Sequence, residues 1–345
     1  MQIKTENFGV TASGRHAHLY SIENACGMRA VVTDYGAILM RLYVPCPDGV
    51  IRDVVLGYDT LPEYEAGGFF GATVGRHANR IAGAAFTLDG VEYLLADNDG
   101  GANLHTDFKI GFHKQLWETE TLSNGVRFSR LSPDGEAGFP GNLQISVSYT
   151  LDNDNALHIL YEGVSDHRTL INLTNHSFFN LAGHDAGSVL REKLTMSCDR
   201  FLEITPCRLP TGRVLPVEGT PMDFRAGKTV GTDIEADDPQ LHNARGYDHC
   251  YATCAKPGKR EKIALVEDPA SGLGMEVETD LPGVQFYTAN FLPVQHGKGG
   301  AAYGPRCALC LETEHFPDSI HHPGFPQCVY NPGEIYRAET VYRFI

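Results

Sequence analysis

Leu143-Gln144-Ile145-Ser146-Val147-Ser148-Tyr149-Thr150-Leu151 alternates apolar and polar residues without a break. Successive side chains of an extended chain point to opposite faces, so this pattern predicts a strand with one face buried. The same period recurs outward from it. Ile38, Met40, Leu42 and Val44 occupy every second position. Phe86-Thr87-Leu88-Asp89-Gly90-Val91-Glu92-Tyr93 sets an Asp-Gly pair between alternating arms, the pattern of a tight hairpin. Lys256-Pro257-Gly258-Lys259-Arg260 reads as a charged hairpin tip. Helical periodicity is nearly absent, and only Asp233 to Leu241 reads as a short helix. With 37 glycines and 19 prolines the chain has the turns that many short strands need. No repeat, low-complexity run or linker divides it. The expectation is an all-β fold: a large antiparallel β-sandwich, residues 1–345 forming one domain, with both sheets contributing to a cleft.

The formal net charge of −15 repels phosphate backbones and anionic lipid, so neither nucleic acid nor a membrane is an expected partner. The start, Met1-Gln2-Ile3-Lys4-Thr5-Glu6, has no basic-then-apolar signal pattern. No apolar run approaches the roughly 18 residues needed to cross a bilayer. Nine cysteines, an odd number without a framework, fit reduced thiols and a cytoplasmic setting. There the triplets Asn172-Leu173-Thr174 and Asn175-His176-Ser177 are not glycosylation acceptors.

Several segments concentrate polar residues and glycine beyond what a plain sandwich needs. Gly71-Ala72-Thr73-Val74-Gly75-Arg76-His77-Ala78-Asn79-Arg80-Ile81 could cradle phosphate on its two arginines, or be a turn with solvated charges; it lacks the Lys-Ser/Thr ending of a P-loop. Asn103-Leu104-His105 follows a glycine-rich loop. In Asn172 to Leu181, read as a strand, His176 shares a face with Asn172, Thr174, Phe178 and Asn180. Rings mixed with hydrogen-bonding groups suit a sugar, with its apolar C–H faces and hydroxyl rim; the alternative is a histidine satisfied inside a polar seam. In Leu309-Cys310-Leu311-Glu312-Thr313-Glu314, parity puts Cys310, Glu312 and Glu314 on one face. A glutamate entering from a hydrophobic strand is a candidate base, because burial raises its pKa; a salt-bridged strand end is the alternative. Cys250, Cys254, Cys307 and Cys310 could be drawn as a four-thiolate zinc site, but they lack knuckle turns and the pairs are far apart. No metal is expected. Neither G-x-S-x-G nor a strand-following G-x-G-x-x-G occurs.

In this order the segments resemble the aldose 1-epimerase (galactose mutarotase) family. The matching stretches are GRHANRI (75–81), NLH (103–105), TNHSFFNLAG (174–183), GYDH (246–249), PGVQFYTANFL (282–292), LETEHFPDS (311–319) and NPGEIY (331–336). The resemblance implies the mutarotase-like supersandwich, no cofactor, and free aldoses such as galactose and glucose as substrates of a monomer or homodimer. Carried over position by position, it implies Glu312 as general base and His176 as general acid. It further implies that His105, Asp248, Arg80, Asn79 and Gln285 bind the sugar. The chain departs from the family at Thr106-Asp107, where two glycines are usual, and in Ile320-His321-His322, where an asparagine is usual. Both departures bear on sugar preference.

Such a reaction opens a hemiacetal: one group removes the anomeric hydroxyl proton while another protonates the ring oxygen, and the carbonyl turns before reclosure. A Glu–His pair meets that need, and Asp248 beside an imidazole would favour its protonated form. Three rivals stand beside this reading. A β-sandwich glycoside hydrolase would use two carboxylates across the cleaved bond, with Glu312 and Asp248 available. A non-catalytic sugar-binding module would need no Glu–His pair. An epimerase of hexose 6-phosphates would use Arg76 and Arg80 for the phosphate.

Overall fold

Residues 2–345 are described by a computed structural model. The alternating stretch Leu143–Leu151 lies inside a nine-stranded antiparallel sheet, between Gly125–Ser132 and Ala156–Ser165. Ile335–Phe344 pairs with Ala156–Ser165 and carries the sheet on to Gly274–Thr279 and Glu261–Glu267. Leu143, Ile145, Val147, Tyr149 and Leu151 all enter the main core, as the period requires. Ser146 and Ser148 on the other face are also covered; Arg127 donates from Nη2 to Ser146 Oγ (3.0 Å) across the neighbouring strand.

A five-stranded sheet at the amino-terminal end contains Ile38–Pro45, whose Ile38, Met40, Leu42 and Val44 are buried as predicted. Leu39 is buried too, because the register with Arg29–Thr33 shifts between Val31 and Val32. The hairpin Ala85–Leu88/Val91–Leu94 forms with Asp89 and Gly90 at φ 53° and 79°, the left-handed pair that a two-residue turn demands. At Lys256–Lys259 a single antiparallel bridge closes the charged tip.

The third large sheet orders Pro210–Pro216, Arg200–Ile204, Asp248–Ala252, Gly283–Tyr287 and Cys310–Glu314. One face, with Phe201, Tyr251, Val284, Phe286 and Leu311, packs into the core shared with the nine-stranded sheet. Tyr342 donates its hydroxyl to the Leu311 carbonyl across that interface (2.9 Å). The opposite face carries Asp248, Gln285 and Glu312. The architecture is thus the expected large antiparallel β-sandwich.

Two helical details differ from expectation. The predicted helix at Asp233 to Leu241 starts later, at Pro239–Ala244. Asp238 caps it, accepting from the amides of Gln240 and Leu241, and Pro239 occupies the first turn, so residues 233–238 lie outside it. A second helix, Leu61–Ala66, escaped the periodicity reading because six residues are too few to show a period. Its signature is local: Glu63 accepts from both the amide and the hydroxyl of Thr60 (2.9 and 2.6 Å). No helix among the described residues is long and apolar enough to cross a membrane.

Candidate active site

A cavity of ≈ 640 Å³ opens on the polar face of the third sheet. The nine-stranded sheet supplies none of its lining, which corrects the expectation that both sheets would contribute to the cleft. Instead, short strands and loops at residues 58–108, 176–178, 208 and 291–295 surround one face of a single large sheet. Glu312 stands opposite Gln285 in the ladder, and Cys250 stands opposite Gln285 on its other side. Asp248, two residues from Cys250, therefore shares their face, and Gln285 donates from Nε2 to Asp248 Oδ1 (2.7 Å). Glu312 Oε2 and Gln285 Oε1 are buried atoms without a partner, so the polar floor has open acceptors.

His176 approaches from the short strand Thr174–His176, paired with Ala72–Val74. Its Nε2 lies 3.6 Å from Glu312 Oε2 and its Nδ1 lies 3.7 Å from Cys310 Sγ. The rings of Phe178 and Phe69 stack on the imidazole, with centroids 4.8 and 5.7 Å away and interplanar angles of 17° and 14°. The long polar face predicted for Asn172 to Leu181 does not form, because the ladder ends at His176. Of that set only His176 and Phe178 line the cavity. Asn172 turns to the His315 amide (2.8 Å), and Asn180 donates to the carbonyls of Gly187 and Cys307.

Asn79 and His105 are held by one another. Both have positive φ, 58° and 54°, and the Asn79 amide donates to His105 Nδ1 (3.1 Å). That bond requires the proton of a neutral His105 to sit on Nε2. Asn79 Nδ2 donates to Glu314 Oε1 (2.8 Å), and Arg80 Nε donates to Asp99 Oδ2 (2.7 Å). All seven residues singled out from the sequence, Glu312, His176, His105, Asp248, Arg80, Asn79 and Gln285, line this cavity.

Electrostatics departs from the simple picture. Burial, then the charges of Glu314 and Asp248, pushes the Glu312 carboxyl well above its usual range. Glu314 is pushed up to about 8, chiefly by burial, with the Asn79 bond opposing. His176 is pushed down to about 4 by burial. The expectation that Asp248 would favour an imidazolium is not met: burial lowers the His176 pKa, and Asp248 accepts from Gln285. Both shifts disfavour separated charge on the Glu312–His176 pair.

Arg76, a candidate phosphate ligand, is elsewhere. Its guanidinium is buried and donates to Ser132 Oγ and to the carbonyls of Ser132, Pro133, Pro140 and Gly141. It ties loops together. The four cysteines of the zinc alternative do not assemble among the described residues, and Cys254 is exposed. His105, His176 and Glu312 do come within 4.8 Å of one another. Neither family departure lines the cavity. Thr106 donates to the His77 carbonyl (3.1 Å), and His321 bonds Asp318 (2.6 Å).

Sequence reasoning missed Phe69, Asp99, Arg208 and Tyr287 as lining residues. Asp99 and Tyr287 lay inside segments already noted, and Gly67-Gly68-Phe69-Phe70 has a loop-and-ring composition that hints at a lid. Arg208 has no signal in the sequence.

A model of the aldose 1-epimerase family matches residues 18–343. The galactose mutarotase of Bos taurus is 42% identical over 320 residues, 92% of this chain and 91% of that protein. The aldose 1-epimerase of Escherichia coli K12 is 36% identical over 344 residues, 99% of each chain. The crystal structure of the GalM/aldose epimerase homologue from C. elegans superposes with a TM-score of 0.87 at 30% identity, covering 95% of this chain and 99% of that one. With its sheets, its cavity and its sequence in agreement along nearly the whole length, the chain belongs to the aldose 1-epimerase family.

Proposed function

We propose that the protein interconverts the α and β anomers of free hexoses such as galactose and glucose, with Glu312 as base and His176 as acid. The observation that carries the reading is the buried Glu312–His176 pair, 3.6 Å apart, facing a cavity with unpaired acceptors. Together the two groups hold one proton, which is what opening a hemiacetal requires. Burial by itself disfavours the charged form of both groups. A bound sugar changes the balance: its anomeric hydroxyl donates to the open Glu312 oxygen, and its ring oxygen accepts from His176 Nε2. Both bonds favour the charged pair. Carboxylate then takes the hydroxyl proton as imidazolium protonates the ring oxygen, the C1–O5 bond breaks, and the aldehyde rotates before the steps reverse. Asp248, Gln285, Arg80, Asn79 and His105 hold the remaining hydroxyls meanwhile, and Phe69 and Phe178 exclude water from the pair.

The reading extends to a cytoplasmic enzyme, monomer or homodimer, that requires neither cofactor nor metal. All nine cysteines are free, and an acid–base pair suffices for the chemistry. The test is polarimetry of freshly dissolved α-galactose and α-glucose in excess chelator. The protein should speed the approach to the same final rotation. Rates equal to buffer alone would remove the reading.

A further inference from the structure

One wall of the cavity carries more positive charge than the neutral sugar of the proposed reaction needs. A line of bonds runs along it away from the reacting carboxylates. Glu314 accepts from Asn79; the next residue, Arg80, donates from Nε to Asp99 Oδ2 (2.7 Å); and Asp99 Oδ1 accepts from Arg208 Nη2 (3.1 Å). One carboxylate is thus shared by two guanidiniums, and it takes a single N–H from each of two groups that offer five. Arg208 Nε is buried without a partner. The arginine is held there firmly. Its backbone has φ 62°, its amide donates to the Thr205 carbonyl (2.8 Å), and its guanidinium lies over the Phe291 ring at 4.8 Å. A second guanidinium, Arg245, lies 5.5 Å from the same ring. Arg80, Asp99, Arg208 and Phe291 all line the cavity.

We propose that this wall binds the anionic group of an acidic aldose, a sugar bearing carboxylate or phosphate on a carbon remote from C1, and that Arg208 determines this specificity. The proposal rests on the mutarotase reading of the same cavity. Arg76, which lies in a buried loop junction, takes no part. On this wall the guanidiniums of Arg80 and Arg208 outnumber Asp99 by one, while Asp248 lies on the floor of the cavity, and a low-dielectric cleft focuses the field of its own groups. A planar guanidinium with free N–H groups suits carboxylate and phosphate alike.

The test compares kcat/KM, above the buffer rate, for galacturonate, glucuronate and glucose 6-phosphate with that for galactose and glucose. At least one acidic aldose should match or exceed its neutral parent, and whether uronate or phosphate does so identifies the anion. Arg208→Gln should lower the acidic-to-neutral ratio by about tenfold or more, the value of one charge-assisted hydrogen bond. Arg208→Lys should keep part of it, and added salt should narrow the wild-type ratio. If neutral aldoses are epimerised while every acidic one lags and Arg208→Gln leaves the ratio unmoved, the proposal is overturned and the mutarotase reading stands. If no aldose of either kind is epimerised, both fall.

Discussion

Glu192 is a buried carboxyl outside the cavity, and replacing it with glutamine should make the protein more stable at neutral pH. Its Oε1 accepts from the Leu181 amide (2.7 Å), in the segment that continues from His176 and Phe178, while Oε2 has no partner. Burial first, with the nearby charge of Asp268, pushes its pKa up to about 8 from 4.5. A group whose folded pKa is raised contributes its full stability below the unfolded pKa and loses it as pH rises toward the folded one. Between pH 4.5 and 7 the folded state retains a proton that the unfolded chain releases. At 1.36 kcal/mol per unit, this costs about 3 kcal/mol at pH 7 and about 5 kcal/mol above pH 8. Glu192→Gln keeps an acceptor for the Leu181 amide and is close in shape, so it removes the titration with little repacking. Urea unfolding of both proteins at pH 4.5, 6, 7 and 8 should give equal midpoints at pH 4.5 and a widening gap in favour of the glutamine variant. A difference that does not change with pH, or one that favours the wild type at pH 8, refutes the assignment.

Other predictions concern the cavity. Glu312→Gln should lower turnover by about a hundredfold to ten-thousandfold, the usual loss for a positioned acid or base, while Glu314→Gln, whose partner is Asn79, should lose far less; steady-state polarimetry separates them. His176→Asn should retain galactose affinity by calorimetry yet lose most of its turnover, whereas His105→Asn should weaken both, because its ring is proposed to touch the sugar throughout. The kcat/KM profile should be flat across neutrality, falling toward pH 4 as His176 gains a second proton for the pair and falling again in alkali as the carboxyls ionise. In Glu314→Gln the alkaline limb should move to lower pH, since the charge that holds the Glu312 proton is gone.

Much of this molecule was legible in period-2 patterning. Leu143–Leu151, Ile38–Pro45 and the Asp89-Gly90 hairpin form where alternation puts them, because one face of each must be buried. The parity of Cys310, Glu312 and Glu314 also held, and of the three Glu312 lines the cavity. Patterning failed where a segment is too short to have a period, as at Leu61–Ala66, and where a polar run bends away from its ladder, as after His176. Arg76 and Arg80 look alike in the sequence, yet one braces loops through five hydrogen bonds and the other faces the cavity. Nothing local distinguishes them. Arg208 reaches the site only through a left-handed turn and a carboxylate more than a hundred positions away in the chain. Such contacts are set by tertiary packing, which no local pattern encodes.

Glu312 and His176 are proposed to open and reclose the ring by moving protons on oxygen alone. Magnetisation transfer between the α and β H1 resonances of galactose at equilibrium, recorded in D2O, tests it directly. The wild type should transfer saturation between the anomers, Glu312→Gln should transfer it at the rate of buffer, and no deuterium should enter at C2. Absence of transfer in the wild type, undiminished transfer in Glu312→Gln, or deuterium at C2 would rule out this acid–base pair.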